Sequence, residues 1–165
     1  MLRTLFGLTS LVVLMVFIGY AATGASSDPS LSDLSLIASP GRSPNGAWSM
    51  KFELQNTGDR PLVLSESSLP WKGPRDLLLV TTLLNSAHTR LAEFDMPHQA
   101  SPPTFLTLNP GDTLEGSVNL SARFPGLTAA VQESDVVVFW SHQIRSMENQ
   151  SLPRLNGGVV ISRLN

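Results

Sequence analysis

The clearest signal in the chain is the alternation at residues 48–55. Trp48, Met50, Phe52 and Leu54 interleave with Ser49, Lys51, Glu53 and Gln55. Successive side chains of an extended strand point to opposite faces, so this period of two predicts a half-buried strand. Asn56-Thr57-Gly58-Asp59-Arg60-Pro61 follows as a turn, with Gly58 placed to take a positive φ. Leu62-Val63-Leu64 opens a second strand. Residues 65–76 read as a loop carrying Leu69-Pro70-Trp71-Lys72-Gly73-Pro74. Residues 77–84 form a strand with an apolar centre, 85–89 turn, and 90–94 return as a strand. Pro97, Pro102 and Pro103 keep the next stretch irregular, because proline cannot donate to a ladder.

Thr104-Phe105-Leu106-Thr107-Leu108 is again a strand. In Asn109-Pro110-Gly111-Asp112, Pro110 fixes φ at the second turn position and Gly111 allows φ > 0 at the third. The strand after it sets Leu114, Gly116, Val118 and Leu120 on one face. Residues 122–131 fit either a short helix or a crossing between sheets. Val136-Val137-Val138-Phe139-Trp140 is the most apolar run after the N-terminus, and its β-branched content predicts a central strand. A polar loop over 143–156 precedes a last strand at 157–161, with Gly157-Gly158 as a bulge at its start. Leu31, Leu34, Leu36 and Ile37 suit either a first edge strand or a helical turn. The fold class expected from this pattern is all-β: a two-sheet antiparallel immunoglobulin-like sandwich of about seven or eight strands, with a barrel as the alternative.

The N-terminus obeys a different pattern. Arg3 is the only charge before Asp28, residues 5–22 are apolar, and Ala21-Ala22-Thr23-Gly24-Ala25 follow. That order predicts a signal peptide over 1–25, or an anchor helix if it is not cleaved. Residues 26–46, rich in Ser, Pro and Gly, then form a lead-in linker, and 47–165 the β domain. Composition narrows the class further. The chain has 165 residues, no Cys, 15% charged residues and a formal charge of −2. It therefore lacks the basic footprint that nucleic acid requires. It also lacks disulfides, zinc–thiolate sites and thiol nucleophiles. A Cys-free secreted domain of this size points to a bacterial periplasmic or secreted protein, touching a membrane only through residues 5–22 if they are retained.

An alternating strand closed by Asn56-Thr57-Gly58-Asp59, a Pro61-Leu62-Val63-Leu64 strand, and Leu108-Asn109-Pro110-Gly111-Asp112 leading into a long strand resemble bacterial immunoglobulin-like domains. These include proteins similar to the BsuPI-type proteinase inhibitor domain. The resemblance spans residues 48–161 and rests on turn chemistry. It implies the sandwich fold, and an inhibitory role as a special case of binding.

Candidate chemistry is sparse. No Gly-x-Ser-x-Gly elbow and no phosphate-cradling glycine loop occur, so no catalysis and no cofactor are expected. Trp71 and Lys72, on a proline-rich loop, are candidate binding residues, because a rigid aromatic offers much contact area. The competing reading makes Trp71 a plug over an open end of the domain. Trp140 and His142 are further binding candidates, with Trp140 also suited to the core. His88, Met96 and His98 are candidate copper ligands, since thioether and imidazole suit copper. The expected function is a binding module with an envelope or extracellular protein partner. A carbohydrate or small-ligand binder using Trp71 and a periplasmic copper-binding protein are the alternatives.

Overall fold

The computed structural model describes residues 33–72, 77–85, 87–94, 104–147, 152 and 154–164. The signal or anchor helix expected at 1–25 lies outside them. Among the described residues the protein is mostly β, with eight strands in antiparallel sheets and two short helices. One sheet has the order β1-β2-β6, formed by β1 (Leu34–Arg42), β2 (Trp48–Asn56) and β6 (Thr113–Asn119). A second, β4-β7-β8, joins β4 (Leu77–Leu83), β7 (Val136–His142) and β8 (Leu155–Ile161). β3 (Leu62–Ser65) and β5 (Phe105–Leu108) make a two-stranded ladder.

The alternation of β2 is realised as read. Trp48, Met50, Phe52 and Leu54 are buried, while Lys51 and Glu53 are exposed. Met50 and Phe52 share one core with Leu79, Val138, Trp140 and Ile161 of the other three-stranded sheet. A second cluster, around Leu54, Leu64, Leu108 and Ile144, continues the core toward β3 and β5. The Phe52 ring meets Trp140 edge-on at 5.6 Å between centroids, the favoured arrangement for two ring quadrupoles.

The segment at 122–131 resolves into helix. α1 (Leu120–Arg123) is capped by Asn119, whose side chain accepts from the Ala122 amide at 2.9 Å. α2 (Leu127–Glu133) buries Leu127, Ala130 and Val131, the i, i+3, i+4 stripe of an amphipathic helix. Most of the lead-in expected to be linker is also structured: β1 occupies 34–42 within it. Pro40 is compatible with this because β1 ladders only with β2, so its missing N–H falls where no strand needs it.

Other expectations change. Residues 90–94 give one bridge, Thr82 to Arg90, and no strand. Gly157 and Gly158 sit in uninterrupted register opposite Trp140 and Phe139, so they form no bulge. Gly58 does not have a positive φ; Gly111 does, at +82°, and the Asp112 amide closes its turn on the Asn109 carbonyl at 3.0 Å.

β3 and β4 prove to be two parts of one long partner strand. Leu64 bridges Ser146, and Leu77 lies opposite His142. Thirteen steps along one chain (77 − 64) face four along the other (146 − 142), so nine residues are extruded between them. The extruded segment begins with a 3-10 turn, Glu66–Ser68, and carries Trp71 and Lys72.

Candidate functional site

The extruded segment is tied down at several points. His142 is fully buried, and its Nε2 lies 2.6 Å from the Ser68 carbonyl oxygen. A carbonyl can only accept, so Nε2 carries the proton and donates. The Ser68 hydroxyl donates to the Ser65 carbonyl at 2.8 Å and accepts from the Arg145 amide at 3.0 Å. Lys72 is exposed and pairs with Glu66 at 3.0 Å. The Lys72 hydrogen bond, then that of Thr104, hold the Glu66 carboxyl below its ordinary range.

Trp71 is half-buried and packs against both core clusters. Its ring lies directly over Gly116 of β6: a Cβ built there would stand 2.0 Å from Trp71 Cδ2. The plug reading describes this geometry. One face of the indole is spent on the backbone of β6, so it is not a free stacking platform. Trp140 is a core residue, 6% exposed, whose indole lies across Gly157 in the same way; a Cβ there would be 2.6 Å from Cζ2. Both glycines are required by close approach of a ring, not by φ. Trp140 and His142 therefore present no surface to a ligand.

The metal candidates divide. His88 is exposed in the turn after β4 with φ +47°, and its amide donates to the Asn85 carbonyl at 3.1 Å. Met96 and His98 lie outside the described residues. Among the described residues no group of three His, Asp or Glu side chains is placed to hold a metal ion. The fold therefore does not bring the candidate binding residues into one site. Trp71 and Lys72 belong to the extruded segment, which His142 latches from below, and His88 sits in a separate turn.

Two outer surfaces remain, and they differ in chemistry. On the β1-β2-β6 sheet an open depression of about 420 Å³ is lined by Ile37, Ser39, Lys51, Glu53, Glu115 and Ser117. Glu53 and Glu115 stand directly opposite each other in register there. On the β4-β7-β8 sheet the outward rows are Leu78–Ser141–Asn156, Val80–Phe139–Gly158 and Thr82–Val137–Val160. None of these residues is charged. Leu78 is 56% exposed, Phe139 51% and Val160 50%. The Phe139 ring leans over Gly158, where a Cβ would be 3.3 Å from Cδ1. This apolar outer face was not among the candidate sites from sequence. Its signal was present in the apolar runs at 77–80 and 136–140, which imply strands apolar on both faces.

Sequence reading also missed two buried polar anchors. Asn56 is fully buried; its side-chain amide donates to the carbonyls of Arg60 at 2.8 Å and Leu108 at 2.9 Å, and its oxygen accepts from the Gly58 amide at 3.0 Å. Arg123 is buried and pairs with Glu93, holding the 91–94 segment against α1. Both serve the scaffold.

No family model and no curated protein matches the chain. Among solved structures it is similar to the crystal structure of a Bordetella pertussis protein named after ApaA. That likeness has 11% identity, covers 79% of this chain and 93% of the other, and has a TM-score of 0.47.

Proposed function

We propose that this protein is a non-catalytic interaction module of the bacterial envelope or periplasm, built as an immunoglobulin-like sandwich and contacting a protein through the outer face of the β4-β7-β8 sheet. One observation carries the reading: that face exposes Leu78, Phe139 and Val160, one on each of its three strands, with charged groups only at its margins, where Arg154 donates to Ser141 and Arg90 bridges Thr82. Antiparallel sheets that face water are normally apolar inside and polar outside. Contiguous exposed apolar surface marks interaction sites, whereas single exposed apolar residues do not. Two sheets sharing one core support the sandwich, and the apolar N-terminus ending in small residues supports export.

The carbohydrate alternative is weakened by the Trp71 ring, which is committed to Gly116. The test is site-specific photo-crosslinking in the native host, with the crosslinker at Leu78 or, as a control, at Lys51 on the opposite outer face. Protein adducts from position 78 and none from 51 are expected. Equal labelling at both positions, or none at either, removes the reading.

A further inference from the structure

We infer that the free edge of β8 takes up an extended segment of a different protein as an added strand: uncharged along its middle, with a large apolar side chain opposite Gly158 and acidic residues at its ends. The inference rests on the interaction reading above and gives the partner's chemistry.

Register fixes which backbone groups are open. The Leu84 amide donates to the Asp135 carbonyl at 2.8 Å, so the odd-numbered residues of β7 bond to β4 and the even-numbered ones to β8. Those even-numbered residues lie opposite Leu155, Gly157, Val159 and Ile161. The N–H and C=O groups of Asn156, Gly158 and Val160 therefore point out of the sheet. Among the described residues no backbone hydrogen bond reaches them. β1 lies beside β8 but forms no ladder with it. All three residues are exposed, and in Gly158 it is the backbone itself that is exposed.

The other edges are blunted, and this one is not. Pro40 lies among the outward groups of β1 and removes a donor. Glu115 puts a charge on the free edge of β6. β5 is only four residues long. The 89–91 segment covers part of β4: the Leu83 amide donates to the Thr89 carbonyl and the Leu91 amide to that of Thr81, each at 2.9 Å. Proline, charge, short length and covering loops are the devices that keep sheet edges from pairing. β8 is seven residues long and holds neither proline nor charge. An open row of donors and acceptors at strand spacing is matched by another extended backbone.

Side chains decide whose backbone it is. Antiparallel pairing of β8 with its own copy about Gly158 sets glycine against glycine, which gives no cross-strand side-chain contact. It also sets Arg154 opposite position 162 of the copy, next to Arg163, so like charges meet. A foreign strand escapes both costs. The half-exposed Phe139 ring leans over Gly158, 3.3 Å from a Cβ built there. A residue of the added strand opposite Gly158 lies two strand spacings from Phe139, roughly 10 Å, so a large apolar side chain leaning back over the glycine meets the ring. Arg154 and Arg163, exposed at the two ends of β8, favour carboxylates at the ends of the segment.

The probe is the synthetic peptide Asp-Thr-Val-Phe-Val-Thr-Glu, titrated into the isotopically labelled full chain, as the expressing cell processes it, and followed by NMR. The Asn156, Gly158 and Val160 amide signals should shift, and those of Glu115 and Ser117 on the β6 edge should not. N-methylating the peptide's Phe removes the N–H that reaches the Gly158 carbonyl and should weaken binding about tenfold, the worth of one or two hydrogen bonds. Val160→Pro should weaken it by a similar factor, because that N–H is not used by β7; Asn156→Pro replaces it if circular dichroism shows that variant unfolded. Lysine in place of the peptide's Asp and Glu should weaken binding further.

No shift along β8, an equal shift on the β6 edge, or binding indifferent to N-methylation and to proline overturns the added strand. A lysine-ended peptide that binds as well overturns the acidic ends. A wild-type dimer that sediments as monomer after Val160→Pro makes the occupant a second copy and overturns the foreign partner. If the peptide fails while a crosslinker at Leu78 still labels a different protein, the added strand is wrong and the interaction reading stands. If neither is seen, both fall.

Discussion

Replacing Gly116 with alanine tests whether Trp71 is a structural plug. The added Cβ would lie 2.0–2.4 Å from three atoms of the indole, far inside contact distance, so the ring must leave. Removing a fully buried tryptophan costs about 3–5 kcal/mol. Trp71 is only half-buried, so roughly half of that, about 2 kcal/mol, is the expected loss, within the range for overpacked cores. A strand gains about 0.5 kcal/mol when glycine becomes alanine, which offsets a small part. The assay is urea unfolding of four proteins: wild type, Gly116→Ala, Trp71→Ala and the double variant. Each single variant should lose about 2 kcal/mol, and the double variant no more than Trp71→Ala alone, because the clash has then gone. Additive losses would refute the contact. A Gly116→Ala protein as stable as wild type would refute it as directly.

Three further outcomes follow from the same geometry. Gly157→Ala should destabilise by about 1–3 kcal/mol, because Trp140 is fixed in the core and cannot swing out; denaturant midpoints check this. Asn56→Ala should cost about 1–3 kcal/mol, chiefly through loss of the buried hydrogen bond to the Leu108 carbonyl, and hydrogen exchange should speed up at the half-buried Gly58 amide. Glu66 has its carboxyl held low by Lys72 and Thr104, so its contribution is present above the ordinary glutamate range and is lost as pH falls through the lowered value. Glu66→Gln should flatten that acid limb slightly, and added salt should shrink the difference, as for any exposed pair; titration followed by NMR reads both.

Some of this architecture was legible locally. The alternation from Trp48 to Gln55 named its buried face correctly because a strand's period is a property of the backbone alone. The Asn109–Asp112 turn was equally readable, since Pro110 and Gly111 each restrict one torsion. Other features depend on partners distant in the chain. β1 lies in a Ser-, Pro- and Gly-rich stretch that reads as linker, and it is a strand because β2 offers it a ladder over nine residue pairs. The nine-residue extrusion between β3 and β4 exists only relative to the register of β7 and the residues after it.

The candidate site shows the same division. The sequence by itself determined that residues 77–80 and 136–140 are apolar on both sides, and that Trp71 sits on a short proline-rich segment. It could not determine which apolar side would be covered, because burial is a relation between layers. Only the tertiary structure decided that β2 and the helices cover one face of the β4-β7-β8 sheet while Leu78, Phe139 and Val160 stay outside. It likewise decided that Gly116 and Gly157 are the glycines on which a tryptophan ring lies, and that Gly58 serves close approach to Asp33, at 3.0 Å from a Cβ built there, and not a positive φ. At the first two the requirement comes from tryptophan rings arriving from residues 45 and 17 positions earlier (116 − 71 and 157 − 140), and no local rule records that approach.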